Sequence, residues 1–214
     1  MTDERQADPT PAFTDVRVPR TPRGLVLVLH GGTDRSSQPV DRSSLSWWRG
    51  RKLLRDIAPR LGRDGIGVVL LRYRVRGWNA RAGSTPAPVA DARWALDELA
   101  RKHALPVAVV GHSMGGRTGV AVADHDSVRG VVALAPWLSD DDSVDPLRGK
   151  VLRAAHGTLD PITSARATRR FVERASRRAD ASFTDMGPVG HYLMKSVRAW
   201  NRFTVDGARE VLGL

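Results

Sequence analysis

The chain contains no cysteine. That removes disulfides, thiolate metal sites and a cysteine nucleophile from consideration. It also lacks any stretch approaching the ~18 consecutive apolar residues that a membrane-spanning helix requires. The first 23 residues hold four prolines and many charges but no apolar h-region, so no signal peptide is expected there, and a cytoplasmic protein with no membrane partner is. Internal repeats and low-complexity arrays are missing too. Acidic residues are scarce relative to basic ones, 23 Asp and Glu against 34 Lys and Arg, giving a net charge of +11. Such an excess raises nucleic acid as a partner, because clustered cations neutralise phosphates. The arginines are instead scattered, on prospective helix faces at Arg51, Arg55, Arg166, Arg170 and Arg174, with no element interleaving them with aromatics. A solvated, arginine-biased surface and no nucleic-acid partner are expected.

What is present is enough for one sizeable core: 41% of 214 residues are apolar, and no Pro/Gly/Ser tract divides them. We expect a polar N-terminal tail over 1–23, with a candidate edge strand at 13–18, followed by a single domain over 24–214. Continuous apolar runs at 25–29, 66–71, 107–110, 131–134 and 151–155 suit strands buried on both faces. Between them lie helical patterns at 47–61, where Pro59 is expected to end or kink the helix, and at 89–100. A helix at 164–178, a short strand at 181–186 and a terminal helix over 192–212 complete the chain. This alternation predicts an α/β fold, a mainly parallel sheet with helices on both faces.

One corner stands out. In "PVAVVGHSMGGRTG", residues 106–119, a β-branched run stops at Gly111 and Ser113 sits among glycines before a small-residue helical segment. With 20 glycines and 14 serines, a bare G-x-S-x-G match arises by chance in about one such chain in ten, so context must decide. Functional groups of open parallel sheets collect beyond the carboxyl ends of strands, where Ser113 falls. A sharp strand-to-helix turn needs glycines to keep Cβ atoms out of crowded positions, whereas a serine that merely caps a helix does not. Ser113 is therefore read as a nucleophile.

A serine nucleophile needs a base, an orienting acid and an oxyanion site. "LHGGTD", 29–34, leaves the first clear strand through His30, Gly31 and Gly32, small residues that let backbone amides approach a developing oxyanion, with the amide of Met114 as the second donor. "AAHGTLDPIT", 154–163, supplies Asp160, and "DMGPVGHYL", 185–193, supplies His191. Asp140, Asp141, Asp142 and Asp145 compete for the acid, but "SDDDSVD" reads as a solvated loop. His30 and His112 are expected to be structural hydrogen-bonders, while His103 and His125 suit helix ends. No zinc-binding spacing occurs, so no metal or other cofactor is inferred.

These segments, "LHGG", "GHSMGG", "HGTLDPIT" and "GH" at 190–191, resemble the α/β-hydrolase superfamily from about residue 24 onward, and "RYRVRG", 72–77, resembles its arginine-bearing segment. The resemblance implies an α/β-hydrolase fold with Ser113 as nucleophile, His191 as general base, Asp160 as its orienting acid, and the Gly32 and Met114 amides as oxyanion hole, with Thr33 the alternative to Gly32 because loop geometry decides which amide points inward. Many members insert a helical cap before the acid-bearing strand. Here only 136–149 fills that interval, so no cap domain is expected, and the site should be open and walled by loops 35–46 and 78–86. Trp78 and Trp137 are candidate substrate-binding aromatics, while Trp47 and Trp48 are expected in the helix-to-sheet core. Small cap-less relatives resembling dienelactone hydrolase use cysteine where this chain has Ser113, so their substrate does not carry over. The expected activity is ester hydrolysis of a small-molecule acyl substrate with a short acyl chain; thioesterase, amidase or acyltransferase chemistry would use the same groups. A non-catalytic binding protein of this fold would be expected to have lost one of them.

Overall fold

The computed structural model describes residues 9–81 and 83–214; the first eight residues of the expected tail over 1–23 lie outside them. Seven strands form one sheet: β1 (Ala12–Arg17), β2 (Gly24–Leu29), β3 (Ile66–Arg72), β4 (Val107–His112), β5 (Val128–Leu134), β6 (Val151–His156) and β7 (Asp180–Asp185). Their order across the sheet is β1-β3-β2-β4-β5-β6-β7, with β1 antiparallel to β3 and every other pair parallel. β2 and β4 are buried along their whole length, which is why they read as unbroken apolar runs rather than alternating ones.

Five helices cover the two faces: α1 (Leu45–Arg63), α2 (Ala87–His103), α3 (Met114–Ala121), α4 (Ala165–Ala175) and α5 (Val197–Leu212). Right-handed crossovers put α1 on one face and α2, α3 and α4 on the other. α5 returns over β4 and β5 to pack beside α1. The edge strand β1 is tied down from both sides. Its register slips between Phe13 and Asp15, so that Thr14 accepts a hydrogen bond from Trp47 Nε1 at 2.9 Å and Asp15 meets Arg51 and Arg55 of α1 at 3.2 and 3.3 Å. Phe13 stacks instead on Trp94 of α2.

Three expectations need correction. Pro59 does not end α1; the helix runs on to Arg63, because Pro59 lies on the solvent face where the carbonyl it leaves unpaired meets water. The last helix begins at Val197 rather than near 192, since Leu193 and Ser196 adopt left-handed backbone angles (φ 58° and 56°) incompatible with an earlier start. Trp48 is not in the core: Trp47 is buried, but Trp48 is 43% exposed on the flank of α1 facing α5. Between β5 and β6 the only regular structure is a 3₁₀ turn at Asp145–Leu147, so there is no cap. Among the described residues no helix is long and apolar enough to cross a membrane.

Candidate active site

The sharpest backbone feature of the sheet lies at the end of β4. Ser113 has φ 56° and ψ −120°, a region sparsely populated by residues other than glycine, and α3 starts at the next residue. The surroundings hold it there: its amide donates to the Leu134 carbonyl at 3.1 Å, and its carbonyl accepts from the amides of Gly116 and Trp137 at 3.0 and 3.1 Å. The turn is tight enough that a Cβ on Gly115 would overlap the Leu29 carbonyl oxygen. Ser113 does not cap α3 with its side chain. Its Oγ instead lies 3.0 Å from Nε2 of His191.

His191, in the loop after β7, is joined through Nδ1 to Asp160 Oδ2 at 2.7 Å. A carboxylate only accepts, so Nδ1 carries the proton and Nε2 is left to accept from Ser113 Oγ–H. Asp160, in the loop after β6, is heavily hydrogen-bonded. Oδ1 accepts from the amides of Ile162 and Thr163 at 2.8 and 2.9 Å, and Oδ2 also accepts from Thr163 Oγ1 at 2.9 Å. Burial alone would push this carboxyl up, but the Thr163 amide, His191, the Ile162 amide and the Thr163 hydroxyl together bring it down to about 2. Among the acids that could have competed, Asp140 pairs with Arg170, Asp142 with Arg117, and Asp145 with Arg178, while Asp141 is exposed; none is hydrogen-bonded to His191.

Two further histidines hold the arrangement. His156, the last residue of β6 and fully buried, donates from Nε2 to the same Oδ2 of Asp160 at 3.0 Å, while its Nδ1 accepts from Thr168 Oγ1 of α4 at 2.9 Å. Burial favours its neutral form. Sequence reasoning passed over His156; the signal it offered was its place at a strand end four residues before Asp160. His112, expected only as a structural hydrogen-bonder, donates from Nε2 to the backbone carbonyl of His191 at 2.8 Å. Burial, with His191 nearby, drives its pKa down to about 3, so the ring stays neutral and anchors the His191 loop. His30 is likewise buried, its pKa lowered by burial to about 4, with Nδ1 on the Gly31 carbonyl at 2.7 Å.

The amides of Gly32 and Met114 have no acceptor among the described residues, and the Met114 side chain packs against Gly32. Thr33 differs: its N–H is taken by the carbonyl of Arg76 at 2.9 Å. Arg76, from the "RYRVRG" segment, also stitches the 30–44 loop through Pro39 O and Asp41 Oδ1, both at 3.0 Å. On the α3 side of Ser113, Trp78 and Trp137 meet edge to face at 6.2 Å, and the Arg117 guanidinium lies over both rings at 4.5 and 4.6 Å. Arg117 is anchored to Asp142 at 2.8 Å. The two tryptophans therefore close around an arginine rather than lining an empty pocket. Among the described residues no group of three or more His, Asp or Glu side chains is gathered as metal ligands.

The sheet order, the strained serine at the end of β4 and the absent cap are those of a hydrolase scaffold, and a family model agrees. Residues 25–212 match the alpha/beta hydrolase family, and the chain belongs to it. Solved structures share the fold at low identity. They include an alpha-beta serine hydrolase homologue from Coxiella burnetii (15% identity, 96% of this chain and 97% of that one, TM-score 0.66). A serine hydrolase without lid from Xanthomonas campestris is similar (17% identity, 93% and 88%, TM-score 0.65). So is Est1E from Butyrivibrio proteoclasticus with ferulic acid bound (13% identity, 95% and 96%, TM-score 0.67). No curated protein matches the chain.

Proposed function

We propose that the protein is a serine hydrolase cleaving ester-type bonds of small acyl substrates through an acyl-enzyme. The observation that carries the reading is the continuous chain from Ser113 Oγ through His191 to Asp160, with links of 3.0 and 2.7 Å, mounted on a strained strand-to-helix turn. Ser113 Oγ attacks the acyl carbonyl as its proton passes to His191 Nε2. The unpartnered amides of Gly32 and Met114 receive the developing oxyanion. Collapse expels the alcohol, which takes the proton from His191, and water then repeats the sequence to release the acid. Asp160, held ionised, stabilises the imidazolium that forms at each transfer. The Trp78, Arg117 and Trp137 cluster leaves little depth beside Ser113 on the α3 side, which favours a short acyl chain. Neighbours of the same fold that are esterases are in keeping with an ester substrate.

The test is covalent labelling with a fluorophosphonate probe together with turnover of phenyl acetate. Ser113→Ala should abolish both while the fold persists by circular dichroism. Asp160→Asn should lose about 10⁴-fold in kcat through the wrong imidazole tautomer. Undiminished turnover by purified Ser113→Ala protein would overturn the mechanism.

A further inference from the structure

Most of the large apolar side chains that this protein leaves exposed are scattered singly, but four converge. Leu45 (74% exposed), Trp48 (43%), Tyr192 (46%) and Met194 (75%) line one groove of about 440 Å³ between α1 and α5. Its inner wall includes Leu53, Val197 and the buried Trp200. The mouth adjoins the catalytic chain: Tyr192 follows His191 directly, their rings 5.5 Å apart, and Arg49 of α1 lies over the Tyr192 ring at 4.4 Å. The far end is closed by polar groups, where Asp56 meets Lys52 at 2.8 Å and Asn201 at 3.2 Å. From Arg49 to Asp56 is about 10 Å along the helix, the length of about eight methylenes.

Chemistry decides which part of an ester would enter. The acyl oxygen is directed to the Gly32 and Met114 amides, and the leaving oxygen must lie against His191 Nε2 to receive its proton. The groove lies between α1 and α5 and reaches Tyr192, whose ring meets that of His191, whereas Arg117 at the start of α3 sits between its two tryptophans and offers no comparable groove. The groove's one carboxylate, Asp56, is paired with Lys52, Arg49 lies over the Tyr192 ring, and the walls between them are apolar, so an alkyl or aryl chain fits best.

We propose that the groove between α1 and α5 is the leaving-group subsite, taking an uncharged alkyl or arylalkyl alcohol of up to about eight carbons while the acyl part stays short. This rests on the esterase reading. In the reaction the acyl–O bond to the alcohol breaks, a bond to Ser113 Oγ forms, and the Ser113 proton travels through His191 to the departing alkoxide.

The experiment compares two ester series below their solubility limits: acetates of straight-chain alcohols from methyl to decyl, and methyl esters of acids of matching length. kcat/KM should rise about threefold per methylene along the alcohol series, level off near eight carbons, and stay nearly flat along the acid series. Met194→Asp and Leu45→Lys, both on the exposed rim, should each lower the ratio of kcat/KM for octyl over ethyl acetate by at least about tenfold. A labelled, active enzyme with a flat alcohol series, or one whose rise lies in the acid series, overturns the groove assignment alone. So does an alcohol slope that neither variant changes, or one lost only because Trp48 and Met194 are buried in a dimer seen by light scattering. Failure to label and to turn over any ester overturns the esterase reading and the subsite with it.

Discussion

Asp160 Oδ2 accepts from three donors at once, His191 at 2.7 Å, Thr163 at 2.9 Å and His156 at 3.0 Å. Its carboxyl titrates near 2 when folded, below the ~3.9 of an unfolded aspartate, so the stability it contributes is complete above about pH 4 and is lost as pH falls through about 2. An acidic limb of kcat/KM lying above pH 4 therefore cannot report Asp160. The neighbours of that imidazole are His156 from β6 and His112 from β4, both held neutral by burial, and Tyr192, its ring 5.5 Å away. His156 fixes the carboxylate oxygen that His191 uses. Replacing it by leucine removes one donor from Oδ2, frees the carboxylate to turn away from His191, and should lower kcat about tenfold with little change in KM. His156→Gln, whose amide can still donate to Oδ2, should keep kcat near that of the parent. Equal losses in the two variants would mean that His156 only fills space.

Elements differed in how openly the sequence displayed them, for physical reasons. β2, β3, β4 and β5 are covered on both faces over most of their length, so each carries a continuous apolar run, and polar residues such as Arg72, His112 and Arg129 fall only near strand ends. Ser113, Asp160 and His191 were legible because each follows a strand and chain order constrains them. The start of α5 was not: Leu193 stands four residues before Val197 and seven before Trp200, a spacing that extends the helical pattern backwards, yet 192–196 turns through two left-handed residues and the His191 carbonyl reaches His112. The α1–α5 groove had no local signature at all, since its walls lie about 150 residues apart and meet only when both helices share a face. The elbow between β4 and α3 shows how closely an element junction can be specified. At Gly115 a Cβ would strike the Leu29 backbone carbonyl, which cannot yield as a side chain would, so Gly115→Ala should lower unfolding free energy by about 3 kcal/mol and weaken probe labelling. Gly62, near the end of α1 with nothing within 4 Å of where a methyl would sit, should respond oppositely. Gly62→Ala should raise stability by about 0.5 kcal/mol. Urea midpoints of the two variants check both signs, and a Gly115→Ala protein as stable as the parent would contradict the packing account.

At the scale of the whole molecule, the decisive feature is that nothing among the described residues is built to cover the site. The interval from β5 to β6 holds only the 3₁₀ turn at Asp145–Leu147, and three of its four acidic residues, Asp142, Asp140 and Asp145, are pinned to α3, α4 and the segment after it through Arg117, Arg170 and Arg178. A lidded lipase is closed in water and opens on a lipid surface, which gives a jump in rate when substrate passes from dissolved to aggregated form. Here Leu45, Trp48, Tyr192 and Met194 already face solvent along a groove that reaches Tyr192, next to His191, so the free enzyme should be competent without rearrangement. Exposing such a rim leaves apolar area in water, and an occupied groove would recover about 25 cal/mol for each Å² it covers, a gain open to single dissolved molecules as readily as to a surface. Hydrolysis of a sparingly soluble ester such as octyl acetate should therefore rise hyperbolically with dissolved substrate and show no break at its solubility limit. Dissolved short-acyl esters should also be better substrates than dispersed long-chain glycerides. The measurement is initial rate against total ester across the limit, with and without detergent. A sharp rise at the limit that detergent abolishes would show that a loop, such as 35–44 after the Gly31–Gly32 turn, shuts the site in solution, and the open architecture would then describe only one of two states.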